Sequence, residues 1–142
     1  MEQYDKLKLS NQLCFPLYAC AKEIVRRYRP YLDELDLTYT QYITMMVLWE
    51  QEETSVKDLG SKLFLDSGTL TPVLKSLETK GYIRRCRSAN DERVLIASLT
   101  DEGRHLRDRA VCVPDRVASC VNLSPEDAQT LYTLLYKVLG DF

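Results

Sequence analysis

The stretch from Ser55 to Leu99 constrains the fold more than any other part of the chain. Ser55-Val56-Lys57-Asp58 has the residue types of a helix start, a hydroxyl cap followed by an acid in the first turn. The helix it opens, Val56 to Leu63, has little more than two turns before Phe64-Leu65-Asp66 turns the chain. A second helix from Ser67 to Lys80 carries Leu70, Val73, Leu74 and Leu77 at three- and four-residue steps, and Gly81 ends it at the C′ position. The runs Tyr82–Arg87 and Val94–Leu99 then read as strands joined by the polar tip Ser88-Ala89-Asn90-Asp91-Glu92. Two short helices, a tight turn and a hairpin with a charged tip specify a winged helix-turn-helix.

The flanks are helical. Ser10 or Asn11 is positioned to cap a helix running to about Tyr28, with Pro30 as its stop and a short segment around Tyr31–Leu35 after it. Its apolar positions are Leu13, Leu17, Ala21, Ile24, Val25 and Tyr28, and Pro16 is tolerable near the first turns. Thr38-Tyr39-Thr40-Gln41 has the form of a capping box and opens a helix through Ile43, Met46, Val47 and Trp49. Thr100-Asp101-Glu102 starts a long helix with a bend expected at Pro114. Ser124-Pro125-Glu126-Asp127 starts the last one, with Leu131, Leu134, Leu135, Val138 and Leu139 along it. With 142 residues, no repeat and no linker, the expectation is one domain, 1–142, mainly α with a small β-hairpin. Its central lobe spans about 37–100, and its terminal helices about 9–30 and 101–142.

Composition removes several classes. The chain is 45% hydrophobic and 28% charged with 5 Gly and 5 Pro, which argues against disordered and collagen-like chains. No apolar run reaches the length of a membrane span, and Met1–Ser10 is too polar for a signal peptide, so a cytoplasmic location with reduced thiols is expected. The five cysteines include no C-x-x-C pair and the single His is too few for the commoner zinc sites, so neither metal nor cofactor is expected. The net charge of −2 is unevenly spread: Lys57 to Arg93 holds eight bases and five acids, leaving the remainder at −5. A basic middle in an acidic chain suits one surface facing nucleic acid, although ordinary surface scatter gives the same count.

The helix Ser67–Lys80 sharpens that choice. Ser67, Gly68, Thr69, Thr71 and Pro72 are small or hydroxylated, which suits a helix entering the major groove of double-stranded DNA. Lys75 and Lys80 on the same helix are placed to neutralise phosphates. The bland alternative is a surface helix with a wet face.

Several tracts in order carry a resemblance: Leu65-Asp66-Ser67-Gly68-Thr69-Leu70-Thr71-Pro72-Val73-Leu74-Lys75, Gly81-Tyr82-Ile83, Asp91-Glu92-Arg93 and Leu99-Thr100-Asp101-Glu102-Gly103. Together they resemble the MarR family of bacterial regulators. Asn11-Gln12-Leu13-Cys14-Phe15-Pro16-Leu17-Tyr18, Leu37-Thr38-Tyr39-Thr40-Gln41-Tyr42 and Leu48-Trp49-Glu50 resemble its organic-peroxide-sensing OhrR branch. The resemblance implies a homodimer formed by the terminal helices, a pseudo-palindromic operator, and repression of transcription until organic hydroperoxide oxidises a thiol. It also implies that Arg93 enters the minor groove from the wing, with Asp91 orienting it.

Among the cysteines, Cys14 is the best candidate for a reactive thiol. Near a helix start the backbone N–H groups favour an anion, and Tyr18 one turn on puts a hydroxyl on the same face. The resemblance implies bonds to the reactive sulfur from two tyrosine hydroxyls of the partner subunit, at positions matched by Tyr28 and Tyr39. A buried packing cysteine is the bland reading. Cys20 is about 9 Å further along the helix, too far for a disulfide with Cys14. Two-cysteine members of the branch imply a resolving cysteine near Cys120, with Cys112 the weaker candidate. A one-cysteine route through a small cellular thiol stays open. Rival functions are a regulator answering to a small aromatic or acidic ligand, a structural interaction module, and a thiol peroxidase-like enzyme. The last is disfavoured because His105 stands alone and no Gly-rich loop is present.

Overall fold

A computed structural model describes residues 2–140, so the expected domain's extreme positions, Met1, Asp141 and Phe142, lie outside it. Two 3-10 turns, Asp5–Leu7 and Leu9–Asn11, lead into α1 (Cys14–Asp33) and α2 (Tyr39–Gln51). Then come β1 (Glu53–Ser55), α3 (Val56–Leu63), α4 (Ser67–Thr79), β2 (Ile83–Arg87) and β3 (Leu95–Leu99). Helices α5 (Asp101–Ala110), α6 (Val113–Ala118) and α7 (Pro125–Gly140) finish the chain.

The first helix departs from expectation at both ends. Neither Ser10 nor Asn11 caps it. Asn11 Nδ2 donates instead to Asp5 O, and Gln12 Nε2 donates to the carbonyls of Lys6 and Lys8, which closes the preceding turns. The helix begins at Cys14 without a side-chain cap, and Pro16 is its third residue, where the N–H would have had no intrahelical partner. Nor does Pro30 stop it. The helix runs on to Asp33, absorbing the first three residues of the expected separate segment Tyr31–Leu35. An interior proline costs about 3 kcal/mol. Burial of Leu32, Leu35 and Leu37, at roughly 1.5–3 kcal/mol each, offsets that cost.

The middle of the chain folds as its caps dictate. Thr38 and Gln41 form the reciprocal capping box, Ser55 Oγ accepts from Asp58 N at 3.1 Å, and Asp66 Oδ1 accepts from Thr69 N at 2.7 Å. Phe64 closes α3 in the left-handed region at φ 55°, and Gly81 follows α4 at φ 85°, where a side chain would be strained. The hairpin pairs Ile83 with Leu99 through to Arg87 with Leu95. Its third member is β1, which pairs with β3 through Glu53–Ser98, Thr54–Ala97 and Ser55–Ile96 and gives an antiparallel order β1-β3-β2. Three residues between two helices are too few to display strand alternation, so this strand leaves no signature in the sequence.

The core lies among α2, α3, α4 and the sheet, with Met45, Leu48, Leu59, Leu70, Leu74, Leu77 and Ala97 fully enclosed. Leu106, Ala110, Val113 and Val117 extend it into α5 and α6, which break just before Pro114. Gly103 is the tightest joint: Trp49 Nε1 donates to its carbonyl at 2.8 Å, and a Cβ there would lie 2.2 Å from Tyr82 O. Backbone cannot yield as a flexible side chain would. Gly103→Ala is therefore expected to destabilise the fold by about 1–3 kcal/mol, read as a lower urea midpoint with unchanged slope.

Candidate functional site

Two regions emerge from this frame. In the first, α4 is anchored by Leu70, Leu74 and Leu77, which turns Ser67, Gly68, Thr69, Thr71, Pro72 and Lys75 outward to solvent. Every α4 residue expected to face a groove is thus exposed on one side. Asp66, just before them, is held ionised below the usual carboxylate range by bonds from Thr69. Lys80 differs from expectation. Its Nζ donates to Asp36 O and, at 3.2 Å, to Gln41 Oε1, so it is committed to an internal tie rather than to a phosphate.

The wing beside α4 is the hairpin β2–β3. At its tip Arg93 is 90% exposed and clamped by Asp91: Arg93 N and Nε donate to Asp91 Oδ1 at 3.0 and 3.1 Å, and Nη2 donates to Oδ2 at 3.2 Å. These bonds hold the Asp91 carboxyl below its ordinary range, so the clamp stays charged at neutral pH. Of the other arginines on β2, Arg85 donates to Glu78 on α4 and fixes the wing to the helix, whereas Arg84 and Arg87 are exposed.

The second region contains the thiols and tyrosines. Cys14, Cys20, Cys86 and Cys112 are exposed and Cys120 is half-buried, all as free thiols. Cys14 is the first residue of α1, so its placement in the first turn holds although the expected cap does not form. Tyr18 is 63% exposed on the same helix, with Lys22 Nζ 5.6 Å from its ring centroid. Tyr28 and Tyr39 meet each other instead, edge to face at 5.0 Å, and Tyr42 completes the cluster at 5.8 and 6.3 Å. Burial raises the phenol pKa of Tyr28. It also raises that of Tyr39, with a smaller push from Tyr28, and takes Tyr42 to about 12. All three are therefore neutral O–H donors at physiological pH.

Cys14 and Tyr28 are fourteen residues apart on one helix, roughly 21 Å at 1.5 Å per residue, so within a single protomer they do not meet. Cys120 is similarly remote. Its carbonyl accepts from Arg27 Nη1 at 3.2 Å, which places it level with the distal half of α1, roughly 20 Å from Cys14 along the axis. Cys112 lies at the α5–α6 break, with its Sγ 3.8 Å from Arg109 O. Between α1 and α2 a cleft of about 320 Å3 is lined by Val25, Arg29, Leu32, Asp33, Leu37, Thr38, Tyr39 and Thr40.

One face of the protomer is uncovered. Helix α7 buries none of its residues and exposes Leu131, Tyr132, Leu134, Leu135, Tyr136 and Val138. Leu13, just before α1, and Phe15, Tyr18, Ile24 and Val25 along it are likewise exposed.

Proteins similar to this chain include regulators of transcription. Residues 26–110 match the family described as Transcriptional regulator SarA/Rot. The chain is 46% identical over 137 residues to the organic hydroperoxide resistance transcriptional regulator of Bacillus subtilis (strain 168), covering 96% of this chain and 93% of that one. Reduced AbfR bound to DNA superposes with a TM-score of 0.79 at 32% identity, over 99% of this chain and 98% of AbfR, a protein of Staphylococcus epidermidis. AbfR with its disulfide formed superposes less closely, at 0.66 and 33% identity over 96% of each chain. The chain belongs to the MarR family of winged-helix transcriptional regulators, in the branch that holds the organic-hydroperoxide-resistance regulators.

Proposed function

We propose that this protein is a homodimeric repressor that holds a pseudo-palindromic DNA operator while Cys14 is reduced and releases it when organic hydroperoxide oxidises that thiol. The observation that carries the reading is the pairing of an outward-facing α4 and clamped Arg93 with Cys14 at a helix start in the same chain. Ser67, Gly68, Thr69, Thr71, Pro72 and Lys75 would face the major groove, and Arg93, oriented by Asp91, the minor groove. The dimer is supported by the apolar side chains exposed along α1 and α7, the kind of surface that marks an interface. A second copy would also bring Tyr28 and Tyr39 to Cys14, which the roughly 21 Å separation prevents within one protomer. Two neutral phenols donating to sulfur stabilise its anion, and Tyr18 adds a third hydroxyl on the thiol's own helix.

The chemistry is binding followed by one stoichiometric oxidation, not turnover. The Cys14 sulfur attacks one oxygen of the hydroperoxide, the O–O bond breaks, sulfur is left as sulfenic acid, and the alcohol departs. The tyrosine bonds to the anion are then lost. Condensation with a thiol follows, expelling water, and the resemblance makes Cys120 of the partner subunit the candidate resolver, joined to Cys14 across subunits or after α1 moves. Cys112 and a small cellular thiol are the competing partners. Oxidised protein is expected to run as a disulfide-linked dimer on a non-reducing gel, and Cys120→Ser to abolish that band. A persistent monomer carrying a mixed disulfide would assign resolution to a small thiol instead. The reading itself is tested by operator gel shifts of reduced and hydroperoxide-treated protein, where treatment should abolish the shift and a reductant restore it for the disulfide form.

The cleft beside Arg29, Asp33 and Tyr39 supports a second reading, in which a small aromatic or acidic ligand releases the DNA. Release by such a ligand without oxidant, and indifference to hydroperoxide, would favour it.

A further inference from the structure

Gln41 does more than its capping role requires. It is 7% exposed, and both polar atoms of its side chain are engaged, at the start of α2 and with α4. Its Oε1 accepts from Thr38 N at 3.0 Å, which completes the capping box of α2. The same oxygen accepts from Lys80 Nζ, at the C-terminal cap of α4, at 3.2 Å. Its Nε2 donates to Ser76 Oγ, on the α4 face turned toward the core, at 3.0 Å. Lys80 in turn reaches the carbonyl of Asp36 in the α1–α2 turn and pairs with its carboxylate at 3.6 Å. Capping alone would use one oxygen and leave the amide N–H groups to be satisfied elsewhere. Here Nε2 ties the first turn of α2 to Ser76, 35 positions away, and Oε1 accepts a second bond from Lys80, 39 positions away.

The position of that turn matters. Tyr39 is its first residue, two before Gln41, and packs on Tyr28 of α1. A displacement of Tyr39 moves the turn that contains Gln41, and through Ser76 and Lys80 the pull falls on the C-terminal half of α4. Buried hydrogen bonds transmit such a displacement stiffly, because breaking one leaves a polar group unpaired in a low-dielectric interior.

We propose that Gln41 is the positioning residue that passes the oxidation state of the sensor thiol from Tyr39 to the recognition helix, through Ser76 and Lys80. The inference rests on the peroxide-sensing reading above. Gln41 touches neither DNA nor the thiol; it sets where α4 lies when the tyrosine pair is or is not engaged.

The test compares wild type with Gln41→Met, Gln41→Glu and Ser76→Ala. Each is assayed as a dimer for Cys14 oxidation by sulfenic-acid trapping and for operator affinity before and after organic hydroperoxide. Wild type is expected to lose operator affinity about 100-fold on oxidation, within the usual range of allosteric coupling. Gln41→Met removes every tie, so its Cys14 should oxidise at the normal rate while operator affinity changes less than about threefold. Gln41→Glu keeps acceptors for Thr38 N and Lys80 and can accept from the Ser76 hydroxyl, so it should restore most of the coupling. Ser76→Ala leaves the α2 cap untouched and should show a partial loss, which keeps the test informative if Gln41→Met folds poorly. Normal release of oxidised Gln41→Met, or of oxidised Ser76→Ala where the methionine variant does not fold, would overturn the inference. So would a reduced Gln41→Met that already binds as weakly as oxidised wild type, since Gln41 would then merely support α4. Failure of wild type to release on oxidation would instead overturn the sensing reading on which this one stands.

Discussion

Cys14→Ser is expected to bind operator as tightly as reduced wild type and to stay bound in organic hydroperoxide that releases wild type completely. Serine keeps a small polar side chain at the first residue of α1, and Cys14 is exposed in the protomer, so the substitution costs the fold little. What it removes is the sulfur that can take an oxygen and become a sulfenic acid. Wild-type affinity should fall about 100-fold on treatment while the variant's stays level. The comparison also separates the thiols: Cys20, Cys86, Cys112 and Cys120 remain in the variant and are open to the same oxidant. If Cys14→Ser were released normally, one of those four would be the sensor and the tyrosine pair would be packing only. Gel shifts across a hydroperoxide titration, with thiol counting on the same samples, decide between them.

How much of this was visible before the fold depends on whether the signal was local. The capping box at Thr38–Gln41, the Ser55 start and Gly81 at the end of α4 each act within four residues, and all three form as the sequence implied. The start and end of α1 were misread because tertiary contacts override local rules there. Side chains of Asn11 and Gln12 are spent on the preceding turns, and burial of Leu32, Leu35 and Leu37 carries the helix past Pro30. Strand β1 exists only because β3 offers it a partner more than forty residues later. The outward residues of α4 were legible because Leu70, Leu74 and Leu77 fix the helix's rotation, whereas the Asp91–Arg93 pair was legible only through the family resemblance.

The ties that cross the fold were not legible in that way. Nothing in the periodicity links Gln41 to Ser76 or diverts Lys80 from the surface to Asp36. Pattern reading treats a lysine at the end of a recognition helix as a phosphate contact, and only the packing of α2 against α4 reveals its other use. The Tyr28–Tyr39 pair is an intermediate case. Its residues were named from resemblance, whereas their mutual stacking, and the burial that keeps both phenols protonated, are tertiary facts.

Arg93→Ala is expected to weaken operator binding by about 30-fold or more while leaving fold and dimer intact, since a lost base-edge or groove contact recurs in both halves of a two-fold complex. The side chain is 90% exposed and its described polar partner is Asp91 alone, so truncation removes nothing from the core. Its value to binding lies in preorganisation. With two guanidinium bonds and one backbone bond to a single carboxylate, the arginine is held extended at the hairpin tip before DNA arrives, and less side-chain entropy is lost on docking. The same clamp predicts a sign for pH. Asp91's carboxyl is shifted below its ordinary range, so the clamp is complete above that range and is lost only as pH falls through the lowered value. Binding between pH 6 and 8 should accordingly owe no pH dependence to this pair, and Asp91→Asn should weaken the operator complex less than Arg93→Ala does. Lys75→Ala offers the contrast, because a phosphate contact should reduce affinity for all sequences alike and lower the salt slope by about one per contact. Unchanged operator affinity in Arg93→Ala, measured at fixed salt on a dimer of normal thermal stability, would remove the wing tip from the DNA interface and leave α4 as its only reader of sequence.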